Sequence, residues 1–219
     1  MAAVENSGRA AILTRIRTAL KTPAKTHDAH GNGAAAARVD IFAPVGDPLE
    51  RFRRECAGNK TELIVTPSFD ASVAAASAIL AEMHAGEIFV QDAPRLRGAA
   101  VQFGAGRSVR WSCDGGPLEA TDVCVTLAEL VVAQTGSVLI SSDCGGRGAT
   151  VVAPVHIVLA EMEQLVPELE TALAQAYGPA SRNSYLSLIT GSSRTADIEK
   201  ILVMGAHGPK RLIVILAEG

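Results

Sequence analysis

Aromatic side chains are scarce: one Trp, two Tyr and five Phe among 219 residues. The core must therefore be built from aliphatic residues, and a hydrophobic content of 48% is enough for a sizeable one. Long basic runs are missing, as are basic helices with interleaved aromatics. With a formal net charge of −3, nucleic acid is excluded as a default partner, and so mild an acidity points to no other. No apolar run is long enough to span a bilayer; the longest, Arg211 to Ala217, has the length of a strand. Ala10-Ala11-Ile12-Leu13 is followed at once by Arg15 and Arg17, which is not the apolar core of a signal peptide. A cytoplasmic chain without a membrane span is expected. The four cysteines, Cys56, Cys113, Cys124 and Cys144, form no C-x-x-C pair, so no iron–sulfur cluster and no structural zinc is expected on this chain. They read as reduced, mostly buried cytosolic thiols. A Walker A loop, a complete Rossmann fingerprint, a Gly-x-Ser-x-Gly elbow and a His-Glu-x-x-His helix are all absent.

What is present is an alternation of helical and strand patterns. Residues 1–21 hold a short amphipathic helix, with Ile12, Leu13, Ile16 and Leu20 at helical spacing. Its apolar face is expected to pack on the chain's own body. Residues 22–40, with Pro23, Gly31, Gly33 and an alanine run, read as a flexible linker in which His27 and His30 are solvated. Residues 41–219 read as one α/β domain. Helices are expected over 47–57, 70–84 (ended by Gly86), 165–177 and 195–204 (capped by Gly205). Strands are expected at 63–65, 88–90, 109–111, 155–160, 185–189 and 212–216. Between Asp122 and Ser141 three β-rich runs follow one another closely, so local antiparallel pairing is expected there. The stretch from Tyr185 to Leu216 reads as a strand–helix–strand crossover, and continuously apolar strands indicate a sheet covered on both faces.

Four motifs could carry chemistry. Gly191-Ser192-Ser193-Arg194-Thr195, running on to Asp197 and Glu199, joins a strand to the expected helix, where free N–H groups and Arg194 favour an anion. The loop is expected at the carboxyl ends of the strands, where open α/β sheets gather ligands. The plainer reading makes Ser193 or Thr195 an N-cap and Asp197 and Glu199 partners of the helix dipole. His207, in Gly205-Ala206-His207-Gly208-Pro209, sits on a rigid turn and suits acid/base work or anion binding; local bonding to carbonyls is equally good. His156, after Ala153-Pro154-Val155, opens a strand and reads either as a cleft residue or, more commonly, as a satisfied core histidine. Thr135-Gly136-Ser137 forms a corner between two β runs, with Gly136 at a turn or a ligand approach.

Taken in order, these four motifs resemble the lactate-utilization (LUD) domain family, and within it the stand-alone form found in bacteria. The resemblance runs from about Thr61 to Leu216 and is densest after Asp122. The family pattern often has Thr where this chain has Ser137, Pro where it has Ala153, and Pro where it has Ser192. The resemblance implies an α/β fold of the NagB/RpiA/CoA-transferase-like class: a mixed, mainly parallel sheet with helices on both faces and a β-rich insertion. It also implies a subunit or accessory role in oxidising L-lactate to pyruvate beside iron–sulfur partner proteins. On this reading a small anionic metabolite is bound by Thr135, Gly136, Ser137, Gly191, Ser192, Ser193, Arg194, Thr195 and Asp197. His207, Glu199 and His156 are the candidates for proton transfer. No metal ligand set is expected; the cofactor and self-association into a homo-oligomer are left open. The alternatives are an autonomous enzyme of the isomerase or CoA/folate-ligand type, which rests on fold analogy, and a non-catalytic assembly protein.

Overall fold

The computed structural model describes residues 2–21, 44–115, 120–144, 148–177, 185–196, 202–204 and 208–219. The chain divides into two compact units, Met1–Ile41 and Phe42–Gly219. In the first, α1 spans Ala2–Leu20, and its apolar Ile12, Leu13 and Ile16 are exposed. The expected linker, with His27 and His30, lies outside the described residues.

The second unit begins with α2 (Pro48–Asn59). The Asp47 carboxylate accepts from the N–H groups of Leu49 and Glu50 at 2.8 and 3.1 Å, and Pro48 takes the first turn, where a missing N–H costs nothing. Lys60, in the left-handed region at φ 57°, ends the helix. β1 (Glu62–Thr66) leads to α3 (Phe69–Glu82), which Ser68 caps and which buries Val73, Ala76 and Leu80 on one face. The left-handed turn after α3 is made by His84 at φ 51°, not by Gly86. Gly86 instead donates its N–H to the Asp122 carboxylate at 2.8 Å. There follow β2 (Glu87–Val90), the short α4 (Pro94–Gly98) and α5 (Ala100–Phe103), β3 (Ser108–Trp111), β4 (Val123–Leu127), β5 (Leu130–Val132) and β6 (Ser137–Ser141). Next come α6 (Ala149–Val152), β7 (Val155–Glu161), β8 (Leu165–Val166), α7 (Leu169–Ala176), β9 (Leu186–Ile189), β10 (Arg194–Ala196), β11 (Leu202–Met204) and β12 (Arg211–Ala217).

Six strands form one sheet in the order β1-β12-β7-β4-β2-β3, and every neighbouring pair is parallel. Alternate residues along each strand feed two cores. Val123, Ile157, Ile213 and Ile215 face Val73, Ala76 and Leu80 of α3, with Leu96 and Phe103. Cys124, Val158, Leu212 and Val214 face Phe52 and Cys56 of α2 together with Val131, Val138 and Ile140. Those last three belong to a second, four-stranded sheet in the order β8-β5-β6-β9. The architecture is thus α/β, with helices on both faces of the main sheet and a β-rich addition, as expected.

Several local expectations differ. Of the three β runs after Asp122, only β5 and β6 pair as an antiparallel hairpin; β4 joins the parallel sheet between β7 and β2. The helix expected from Leu165 starts later. Pro167 disfavours helical geometry at Val166, so Leu165–Val166 pairs with β5 and α7 begins at Leu169. The helix expected over 195–204 is replaced by β10 and β11, an antiparallel pair that sets Thr195 opposite Val203. Both are β-branched, which favours a ladder over a helix. With it goes the reading of Thr195 as a helix cap, and the Tyr185–Leu216 crossover: β9 pairs antiparallel with β6, while β12 lies between β1 and β7.

Candidate functional site

The loop after β9 does not sit at the carboxyl ends of the parallel strands. The Ser193 N–H donates to the Pro209 carbonyl at 2.8 Å, and the Lys210 N–H donates to the Pro154 carbonyl at 2.7 Å. Pro154 and Pro209 lie just before β7 and β12, so the loop is tied to the amino ends of those strands. There it borders a cleft of about 600 Å³. Asn59, Thr150, Ser187, Thr190, Ser192 and Ser193 are among the residues that line it, with Val151, Leu188 and Ile189.

Three of the four motifs meet here. Asn59, at the end of α2, donates from Nδ2 to the Thr135 carbonyl at 2.9 Å. Thr135 Oγ1 lies 2.7 Å from Ser137 Oγ, which lies 2.7 Å from Thr190 Oγ1 on the cleft wall. The two glycines explain how closely these parts approach. Gly191 has φ 78°, and a Cβ there would collide with the Asn59 carbonyl oxygen. Gly136 has φ 65°, and a Cβ there would lie 2.7 Å from Cβ of Glu55. Only glycine supplies both the left-handed backbone and the missing atom. Gly208 and Pro209 complete the lining.

Ser192 stands out chemically. The residue is 7% exposed and lines the cleft, and its hydroxyl oxygen has no hydrogen-bond partner among the described residues. A buried hydroxyl without a partner is costly, which makes it a natural anchor for a ligand. Arg194 and Thr195 follow directly; their backbone is in β10, and their side chains lie outside what is described, as do Asp197, Glu199 and His207.

His156 is placed elsewhere. It is fully buried in β7, flanked in register by Cys124 and Leu212, and lines no described cleft. Nε2 lies 2.9 Å from Thr126 Oγ1, while Nδ1 has no partner among the described residues. Burial pushes its pKa down to about 4, so the ring is neutral near pH 7. The thiols are likewise quiet. Burial raises Cys56 to about 12 and lifts Cys124 well above the usual thiol range. Cys144 is buried, and the exposed Cys113 is raised mainly by its hydrogen bond with Asp92. Among the described residues no group of three His, Cys, Asp or Glu side chains could hold a metal ion. Nor is any described helix long and apolar enough to cross a membrane.

A second cleft, of about 510 Å³, does lie at the carboxyl ends of β1 and β7, beside the first turn of α3. Its main charged groups satisfy one another: Arg95 makes a two-pronged bond to Glu161 and stacks 3.8 Å from the Phe69 ring centre. That bond holds the Glu161 carboxyl below its ordinary range.

Sequence reasoning missed Asn59, Thr150, Ser187 and Thr190. Asn59 is 76 positions from Thr135, and no local pattern around α2 marks it as a cleft residue.

Known proteins share parts of this chain. Residues 117–217 match the LUD domain. Lactate utilization protein C of Macrococcus caseolyticus is 27% identical over 180 residues, covering 78% of each chain. The protein of that name from a Geobacillus strain is 25% identical over 190 residues, covering 77% of each. The one from Shouchella clausii is 32% identical over 104 residues, covering 46% of this chain and 45% of that one. A solved DUF162 family protein from Deinococcus radiodurans shares the fold, with a TM-score of 0.59 and 19% identity over 78% of this chain and 96% of the other.

Proposed function

We propose, from the match of residues 117–217 to the LUD domain and the resemblance to lactate utilization protein C, that this chain serves lactate utilization as a cytoplasmic subunit in the oxidation of L-lactate to pyruvate, holding a small anionic ligand in the Gly191 cleft. Ser192 carries this reading: its buried hydroxyl borders the cleft and has no described partner. Arg194, two residues on in the sequence, is the cation to test for neutralising the ligand, and the Thr135–Ser137–Thr190 hydroxyl chain braces the loop that lines the cleft. Oxidation of a 2-hydroxy acid to a keto acid removes two electrons and two protons. In this proposal iron–sulfur partner proteins take the electrons. His207, just before Gly208 of the cleft, and Glu199, between β10 and β11, are the residues to test for proton transfer.

The test is thermal unfolding of the purified protein with L-lactate, pyruvate and inorganic phosphate, run beside Arg194→Ala and Ser192→Ala. A ligand that binds only the folded state at a hundred times its Kd stabilises by about 2.7 kcal/mol. For a chain of this size that raises Tm by roughly 5–10 °C. A shift lost in both variants supports the cleft. A shift retained in both removes the ligand from the Gly191 loop. Loss of growth on L-lactate when the gene is deleted, restored by wild type and not by Arg194→Ala, tests the physiological role.

A further inference from the structure

We infer that β9 is a self-pairing edge: a second copy of this chain adds its own β9 antiparallel to it, centred on Leu188, and closes the open side of the Gly191 cleft. β9 is the last strand of the four-stranded sheet, and among the described residues it pairs with β6 alone. The direction of its backbone groups follows from the register. The Ser142 N–H donates to the Tyr185 carbonyl across that ladder at 3.1 Å. In an antiparallel pair, hydrogen-bonded and non-hydrogen-bonded residues alternate. Ser187 and Ile189 therefore bond to Ile140 and Val138, whereas the N–H and C=O groups of Leu186 and Leu188 point away from β6. They have no partner among the described residues. The Ser137–Thr190 contact fits this register, since a non-hydrogen-bonded pair brings side chains closest and these hydroxyls lie 2.7 Å apart. Residues 187–193 all line the cleft. Strand side chains alternate between faces, so what residues 187–190 share with the cleft is the strand's backbone edge.

Open edges are normally blunted by charge, proline or shortness, because an unpaired ladder recruits another strand. The other edges of the two larger sheets follow this rule. β1 carries Glu62, β3 carries Arg110, and β8 has two residues followed by Pro167. β9 has no charge and no proline, and its Leu188 is 41% exposed. Val151, which lines the cleft, and its neighbour Val152 are exposed as well. An edge without charge attracts no partner of either sign and repels no copy of itself. A twofold axis at Leu188 makes the edge its own complement. Leu188 of each copy then exchanges both backbone bonds with its counterpart, and Leu186 of each meets Thr190 of the other. This goes beyond the proposed function without competing with it. Gly191, at φ 78°, turns the chain out of the strand direction. Ser192 therefore lies past the paired stretch, and its end of the cleft is left to a small acid.

The experiment is sedimentation velocity of the full chain over a wide range of concentration, on wild type, Leu188→Pro, Leu188→Lys and Val101→Lys. Proline at position 188 removes the N–H that points outward and spares the β6 ladder; edge strands accept it. Val101 is exposed on α5 and serves as the control. Wild type is expected to be a dimer that dissociates on dilution. Leu188→Pro should raise the dissociation constant about thirtyfold, from one outward hydrogen bond lost per copy at about fivefold each. Leu188→Lys should raise it at least as far, because two ammonium groups then meet at the axis. Val101→Lys should leave it unchanged. A wild type that is monomeric throughout overturns the inference, and so does a dimer that both Leu188 variants leave intact. If circular dichroism shows Leu188→Pro unfolded, Leu188→Lys, at an exposed position, decides alone. The outcomes are separate from those of the ligand reading. A monomer still stabilised by L-lactate or phosphate overturns the pairing alone. A dimer that depends on Leu188 but gains no stability from either small anion supports the pairing and counts against the ligand reading alone.

Discussion

Acidification should destabilise this protein through His156. The ring lies in β7, 0% exposed, with one nitrogen on Thr126 and the other without a described partner. Desolvation lowers its pKa from 6.5 to about 4 in the folded state. The unfolded chain therefore binds the proton first. Stability from the neutral ring is fully present above pH 6.5 and falls as pH drops towards 4, where the folded state also protonates. One pH unit of difference is worth about 1.4 kcal/mol, so the whole window amounts to ~3 kcal/mol, a large share of the roughly 5–15 kcal/mol by which folded domains are stable. The assay is urea unfolding followed by circular dichroism at pH 7, 6, 5 and 4.5, for wild type and His156→Gln. Glutamine keeps an amide for Thr126 but does not titrate. Wild type should lose stability over this range faster than the variant, with the difference opening below about pH 6.5. Parallel curves from 7 to 4.5 would refute the reasoning. Carboxylates such as Glu62, held low by its bond to Arg211, contribute equally to both proteins and cancel in the comparison.

Phe52→Ala removes a fully buried ring that α2 packs against the main sheet, and should cost about 3–5 kcal/mol, read as a lower urea midpoint. Gly191→Ala should cost about 1–2 kcal/mol from the left-handed backbone alone, and more from the collision with Asn59; an unchanged Tm would disprove that close approach. A thiol reagent at neutral pH should titrate one cysteine, Cys113, in the native protein and all four after denaturation, because the other three are buried. Asn59→Ala breaks the bond to the Thr135 carbonyl and should lower stability by about 1 kcal/mol, while weakening any cleft ligand.

Much of the fold was legible in the sequence. The start of α2 was marked by Asp47 and Pro48, and the extent of α3 by its alanine-rich apolar face. The apolar runs at 63–65, 88–90, 155–160 and 212–216 all became strands of one sheet. The Thr135, Gly191 and Gly208 motifs stand out in the sequence, but nothing in it shows that they meet. The errors share a cause. The run at 195–204 fits helix and strand alike by spacing, and its backbone pairing across β10 and β11 decided for strands. Val123–Thr126 and Val138–Ser141 look alike locally, yet one entered the parallel sheet and the other the four-stranded one.

Caps, turn residues and periodicity act within a few positions, so the sequence alone determined most helices and strands and the glycine positions that a tight corner requires. Which strands pair depends on ladders closed between distant segments and on apolar faces buried together, so only the tertiary structure assigned β9 to the smaller sheet and tied its loop to the amino ends of β7 and β12. The same holds for His156 and Asn59. A side chain's solvation is a property of everything packed around it, and that packing buried the histidine and brought the asparagine to the cleft.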